Sequence, residues 1–490
     1  YEICLSDWSS DVCSSDLKGA VTWGNGTSGV KGVVSSANSL ISPNADAVGF
    51  GGIKEVGGSN YVVLSPLWQS QKGAVTWGSG TAGVTGVVNS SNSLVGDTTR
   101  QVPDQVGSGG VTVLTNGNYV VTSVGWNYTT GAVSWGNASA GVTGVVSSTN
   151  SMIGAQRADS IGSGGVTALS NGNYVIASPR WINGNVQWAG AATWGNGATG
   201  TVGVVGTSNS LVGQASSDQV SFGGVVALAN GNYVVVSPLW SQINLGMSGI
   251  ISRGAVTLGN GTTGITGVVG SSNSLLGSVI GVGAMTGDAV GSGGVKALNN
   301  GNYVVLSPEW NQTAGAVTWG NGTTGLSGVV SSANSLIGSV DDGFKAMGTN
   351  FAEVGSPGSG NYVVSSAPYF GKGAVTWGSG STGVRGAVSS ENSLVGGFGG
   401  DNLTPGDQVG SGGVTVLRNG DYVVNSDWFS NKAGAVSWGD GNVGARGVVG
   451  QTNSILNTGH GAAIAVIDGK AWVKSPETGY AYRINGEIGR

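Results

Sequence analysis

The sequence predicts an all-β protein: a β-propeller of about eight four-stranded blades, each about 59 residues long. Three observations predict it. Three short phrases recur in a fixed order along nearly the whole chain. Asn-Gly turns recur at one place between two apolar runs. No stretch carries a 3.6-residue apolar period with helix caps.

The phrases define the unit. Gly-Ala-Val-Thr-Trp-Gly and its close variants place a Trp at Trp23, Trp77, Trp135, Trp194, Trp319, Trp377 and Trp438, with Leu258 in the remaining slot. Gly-Asn-Tyr-Val-Val and variants are anchored at Tyr61, Tyr119, Tyr174, Tyr233, Tyr303, Tyr362 and Tyr422. Asn-Ser followed by Leu, Met or Ile begins at Asn38, Asn92, Asn150, Asn209, Asn273, Asn334, Asn392 and Asn453. Glycine supplies 95 of the 490 residues, a share that without periodicity would suggest disorder. Here the glycines stand at fixed places in the unit, as punctuation.

Each unit reads as four short strands. In one of them, residues 111–114 form a first strand and Asn116-Gly117 a tight hairpin turn. Residues 119–121 are β-branched and aromatic and form the second strand. A third follows at 132–135 and a fourth at 142–147. The hairpin turns favour antiparallel blades. A β-solenoid of three shorter coils per unit is the alternative, but stacked parallel coils need no two-residue hairpins.

The ends depart from the pattern. Residues 1–17 carry Ser-Ser-Asp twice, match no other unit and read as a translated sequencing adaptor, so both cysteines, Cys4 and Cys13, say little about redox compartment. Residues 18–490 are expected to form one repeat domain. At the C-terminus, 463–466 and 471–474 reproduce the first hairpin of a unit, and 479–486 could supply a diverged third strand. Pairing that hairpin with the strands at 20–23 and 30–35 would close a ring and remove exposed edges.

Residues 222–240, from Phe222-Gly223-Gly224 through Asn230-Gly231-Asn232-Tyr233 to Ser237-Pro238, are followed by Gly-Ala-Val-Thr-Leu-Gly at 254–259. This resembles the FG-GAP repeat of integrin-type β-propellers, with Ser-Pro where that repeat has Ala-Pro. Asn-Gly stands where FG-GAP turns often carry acidic calcium loops, so no calcium site is carried over. The wording of the units also resembles repeat arrays of large secreted bacterial adhesins of the filamentous-haemagglutinin kind. That resemblance implies a secreted or cell-surface location, an adhesive or structural role, and surface glycans or proteins as partners.

Composition narrows the chemistry. Nineteen basic against 24 acidic residues give a net charge of −5, which argues against a nucleic-acid-binding basic stripe. No run of ~18 apolar residues is present, so no transmembrane helix is expected. The lone histidine, His460, cannot build a triad, and Asp341, Asp342, Glu353 and Glu391 are not convincingly spaced for a carboxylate pair. The expectation is therefore a non-enzyme without metal or cofactor.

Four sets of residues recur and invite a role. Asp46, Asp104, Asp159, Asp218, Asp288 and Asp407 precede the first strand; they read as acceptors for backbone N–H groups at a turn. The Asn of each Asn-Ser-Leu phrase reads as a turn cap, and the strand Trp set as core. The aromatics Trp68, Trp126, Trp181, Trp240, Trp310, Tyr369 and Trp428 follow Ser-Pro or its variants. They are the candidate ligand-binding residues, as platforms for sugar rings; inter-blade packing is the competing role.

Overall fold

The computed structural model describes residues 3–5, 19–44, 46–244, 250–278, 287–339, 350–366, 371–400, 406–458, 463–467, 470–474 and 481–484. The fold is all-β, in eight repeats that each build a sheet of four or five strands, mixed in seven of them among the described residues. The chain divides into two compact units, Tyr1–Ala227 with Gly259–Val269, and Leu228–Leu258 with Gly270–Arg490.

One sheet of the first unit shows the plan. Val111–Val113 pairs antiparallel with Tyr119–Ser123, which pairs with Ala132–Gly136, which pairs with Ser151–Ile153. The fifth strand, Gly203–Val204, comes from the following repeat and runs parallel to Ser151–Ile153. The expected fourth strand at 142–147 is thus corrected. Its central residues, Gly144–Val145, cross to the preceding repeat and pair with Ser93–Val95. The Asn150 turn explains the exchange. Asn150 Oδ1 accepts the Ser147 N–H and Nδ2 donates to the Val145 carbonyl, at 2.9 and 3.0 Å. The chain reverses there, and the apolar residues after the turn return to the sheet of their own repeat.

Seven such strands are lent backwards among the described residues: Gly86–Val87, Gly144–Val145, Gly203–Val204, Gly267–Val268, Gly328–Val329, Gly386–Ala387 and Gly447–Val448. Each is followed by a buried valine whose N–H donates to the same outer strand, as Val146 does to the Val95 carbonyl at 3.0 Å. The core lies between consecutive sheets. Leu114, Val120, Val133 and Met152 of one repeat pack with Tyr174, Ile176, Trp181 and Val205 of the next. In the second unit Leu298, Val304 and Leu336 pack likewise with Tyr362, Val364 and Val388.

Two glycine positions explain why the phrases read as they do. The Tyr of Asn-Tyr-Val-Val lies directly across from the last Gly of Gly-Ala-Val-Thr-Trp-Gly, as Tyr119 does from Gly136. A Cβ on Gly136 would stand 2.2 Å from the Tyr119 ring, so the ring covers the glycine and no side chain fits. Gly141, at φ +75°, lies against Trp77 of the preceding repeat, where a Cβ would come within 2.5 Å of the Trp77 Cβ. Both backbone conformation and space demand glycine there.

The strands expected to close a ring pair otherwise. Ala20–Trp23 takes Ile3–Leu5 as its antiparallel neighbour. Ala463–Ile467, Lys470–Lys474 and Ala481–Ile484 form a three-stranded sheet of their own. Ala481–Ile484 stands where 479–486 was read as a third strand. Apart from Ile3–Leu5, residues 1–17 lie outside the described residues, as does His460.

Candidate functional site

The candidate aromatics sit where the second strand ends. That strand finishes at a buried Ser, whose hydroxyl accepts a backbone N–H from the loop before the first strand, as Ser123 does from Gly107 at 3.1 Å. Three residues on stands the aromatic. Among the described residues, four repeats then make a single turn, at Trp68–Gln71, Trp126–Thr129, Trp310–Thr313 and Phe429–Lys432. Helix was expected to be near absent, and these turns are not ordinary helix. Asn127 (φ 48°, ψ 65°) and Tyr128 (φ 59°, ψ 43°) are left-handed, and Thr129 follows at φ 61°. Gln69–Gln71, Asn311–Thr313 and Ser430–Lys432 repeat the geometry.

A left-handed residue other than glycine costs about 1–2 kcal/mol, so a run of three needs support. The recurrent Asp provides it. One carboxylate oxygen accepts the first left-handed N–H: Asp104 from Asn127 at 3.1 Å, Asp46 from Gln69 at 3.0 Å, Asp288 from Asn311 at 2.9 Å and Asp407 from Ser430 at 3.2 Å. The other oxygen holds the loop after the fourth strand, as Asp104 does through the Asp97 N–H and Asp407 through those of Gly397 and Phe398. The Asp set is buried and engaged with backbone, as the sequence reading preferred. At Asp159 burial pushes the carboxyl above its ordinary value, against the N–H groups of Gln156, Ala155 and Ile182, which hold it down. Among the described residues, no three His, Cys, Asp or Glu side chains lie close enough to hold a metal ion.

Three of the aromatics, Trp68, Trp126 and Trp310, open such a turn. Trp68, Trp126, Trp181 and Trp310 are buried. Protein covers these four rings. Trp240 is half-buried, with the Arg253 guanidinium 5.4 Å from its ring centre. Tyr369 lies outside the described residues. In the seventh member the register corrects the sequence alignment. Ser426 pairs with Ala435 as Ser65 pairs with Ala74, so Phe429 occupies the aromatic slot and Trp428 stands one place before it. Trp428 is half-buried, with the Lys432 ammonium 4.6 Å from its ring centre. It borders a recess of about 600 Å³ shared with Phe351, Asn350, Gln408 and Ser411, a size within the usual range of ligand pockets. Glu353, considered as a catalytic carboxylate, instead accepts the Asn299 backbone and side-chain N–H groups at 2.8 and 2.7 Å.

The strand Trp set does more than fill core. Each ring is half-buried, and five indoles donate to a carbonyl of the following repeat: Trp77 to Ala138, Trp135 to Gly197, Trp194 to Gly261, Trp319 to Gly380 and Trp377 to Gly441, at 2.8–3.0 Å. The same carbonyl collects amides from the Asn-Gly hairpin. The Gly197 oxygen accepts from Asn116, Asn118 and Trp135, and the Gly261 oxygen from Asn171, Asn173 and Trp194. Sequence reasoning saw the Asn-Gly dipeptide as a turn signal. It missed that the side chains reach across to the next repeat.

The third phrase is tied to the first. The Thr or Ser before each strand Trp bonds the Ser of the Asn-Ser phrase in all eight repeats, at 2.6 or 2.7 Å, from Thr22 with Ser39 to Ser437 with Ser454. That Ser in turn donates to the capping Asn, as Ser151 does to Asn150 at 3.0 Å.

Eight consecutive segments, residues 3–49, 56–108, 113–163, 168–222, 227–292, 297–344, 358–411 and 416–465, match one family, described as a repeat of unknown function (DUF5650). The chain belongs to this repeat family. The match covers most of the sequence and supports the tandem-repeat reading. No curated protein matches the chain. Among solved structures, one titled as the crystal structure of the eukaryotic initiation factor aligns over 81% of this chain and 82% of its own at 9% identity, with a TM-score of 0.31. A likeness that weak carries no argument. No helix among the described residues is long and apolar enough to cross a membrane.

Proposed function

We propose that this DUF5650 chain is a non-catalytic scaffold, a structural and adhesive module of a secreted bacterial surface protein, with its sheets set as blades of an FG-GAP-like β-propeller. One observation carries the scaffold reading. The polar groups that recur in the units are engaged within the protein: Asp with left-handed turns, Thr with Ser, and Asn and Trp with the next repeat. The meander order of each sheet and the hairpins at a fixed place support the blade arrangement. Secretion and adhesion rest on the likeness of the repeat phrases to adhesin arrays.

The test is to apply the purified chain to immobilised bacterial surface polysaccharides and host glycoproteins, following both retention and turnover. Retention without turnover is expected; hydrolysis or elimination of any of them overturns the reading. Small-angle scattering tests the blades. A compact chain of this length has a radius of gyration of about 23 Å, whereas an extended solenoid gives a clearly larger value. A second reading, a carbohydrate-binding propeller, is favoured by the recess beside Trp428, where an aromatic ring is accompanied by amides and hydroxyls.

A further inference from the structure

We infer that the recess beside Trp428 takes an uncharged glycan of one or two sugar rings, with Trp428 as the surface on which a ring stacks. The inference rests on the carbohydrate-binding reading and gives it a site and a ligand class. The recess lies wholly within the second unit, between the first two strands of one repeat and the loop that opens the next. Asn350–Glu353 pairs antiparallel with Tyr362–Ser366, with Asn350 across from Ser365 and Ala352 across from Val363. Cross-strand partners two residues apart share one face of a sheet, and these four line the recess. Gln408, Ser411 and Trp428 of the next repeat line it as well.

Three departures from the repeat plan shape it. A left-handed glycine stands just before the first strand in other repeats, as Gly110 (φ +84°) and Gly413 (φ +91°) do. Here that place belongs to Asn350, drawn into the strand, so an amide stands where other repeats have no side chain. The slot of Ala352 holds Lys54, Thr112, Thr167, Lys296 and Thr415 in other repeats. Alanine is the shortest of these and leaves space. The slot of Trp428 holds Leu67, Gly125, Arg180, Leu239 and Glu309, so an aromatic ring is added at this junction. The Ser411 hydroxyl accepts the Trp428 N–H at 3.3 Å and ties the residue to the loop.

The chemistry of the lining selects the ligand. Amides of Asn350 and Gln408 and the hydroxyl of Ser411 both donate and accept, as sugar hydroxyls require. An indole offers a broad apolar surface to the C–H groups of a sugar ring and a polar edge beside it. Among the described residues that line the recess none is acidic or basic, so it offers no partner for a charged ligand. The Lys432 ammonium is held over the Trp428 ring, 4.6 Å from its centre, and is not among the lining groups. A volume of about 600 Å³ is that of a small-ligand pocket, which sets the length at one or two rings.

The experiment screens the full chain on an array of neutral and acidic glycans, then titrates the best-retained glycan by calorimetry. Neutral glycans are expected to be retained, and acidic ones to bind no tighter. Trp428→Leu removes the ring, and Ala352→Lys narrows the recess. Each is expected to weaken binding about tenfold or more. Both should keep the circular dichroism spectrum, because the fold already carries Leu67 and Leu239 at the first slot and Lys54 and Lys296 at the second. Glycan binding that neither variant weakens overturns the inference while leaving the carbohydrate-binding reading in place with its site elsewhere. An array on which no glycan is retained overturns both. A preference for acidic glycans overturns the ligand class.

Discussion

The junctions at Trp135 and at Leu258 are built on the same plan and differ in one donor. The Gly197 carbonyl receives Asn116, Asn118 and the Trp135 indole. The Gly322 carbonyl, in the second unit, receives Asn230 and Asn232 but no indole, because Leu258 has no N–H. Both side chains press on a left-handed glycine of the following repeat, Gly200 against Trp135 and Gly325 against Leu258, each with a Cβ position 3.0 Å away. The difference separates two roles that one residue combines. Among the described residues, bulk against the glycine is kept in seven slots, from Trp23 against Gly83 to Trp377 against Gly444. The indole N–H is an addition that a junction can lack, since two amides already satisfy the carbonyl.

The largest way to break this plan is at the glycine. Gly141→Ala, at φ +75° with its Cβ 2.5 Å from Trp77, is expected to destabilise by about 3 kcal/mol or more. Gly203→Ala, at φ +122° with nothing within 4 Å, meets backbone strain alone, and about 1–2 kcal/mol is expected. Urea unfolding of the two variants checks the contrast.

Next in size is the hydroxyl pair. Ser151→Ala leaves the Ser134 hydroxyl buried without its partner, at a cost of about 1–3 kcal/mol. Thermal unfolding should place it between the two glycine variants or beside the milder one.

The Trp and Leu junctions can be exchanged. Trp135→Leu removes the indole donor as well as part of a half-buried ring, and about 1–2 kcal/mol is expected. The reciprocal Leu258→Trp places an indole N–H near the Gly322 carbonyl, and a gain of about 0.5–1 kcal/mol is expected. Equal losses from both substitutions would mean that packing alone sets these slots.

A separate contrast lies in pH dependence. Burial raises the Tyr174 and Tyr422 phenols above their ordinary value, to about 12. The neutral phenol is favoured in the folded state, so this contribution is fully present below about pH 10 and fades as pH rises toward 12. Tyrosinate absorbance should therefore appear together with loss of the β signal. Titration of these phenols at their ordinary value in the folded protein would contradict the burial.

Much of this fold was legible in the sequence because the repeats average out local ambiguity. Strands, hairpins and caps followed from Asn116-Gly117, Tyr119 and Asn150. The lent strand was not legible, because residues 142–147 carry the apolar content of a strand without saying whose sheet they join. Only the reversal at Asn150 settles that, through bonds made in three dimensions. The left-handed turns were hidden for a similar reason. Gln69-Ser70-Gln71 carries no glycine to announce positive φ, and the support comes from Asp46, 23 residues earlier. The aromatic slot was read one residue early at Trp428, since counting from the Ser that ends the strand leads to Phe429. Burial of Trp68, Trp126, Trp181 and Trp310 could not be told from exposure by spacing alone.

Strands lent from one repeat to the preceding one join the repeats. Amide hydrogen exchange reads these bonds residue by residue. The Val88, Val146, Val205, Val269, Val330, Val388 and Val449 amides, which donate to the preceding repeat's outer strand, should be protected to the level of the central strands. Fast exchange at these seven valines would contradict the lent strands.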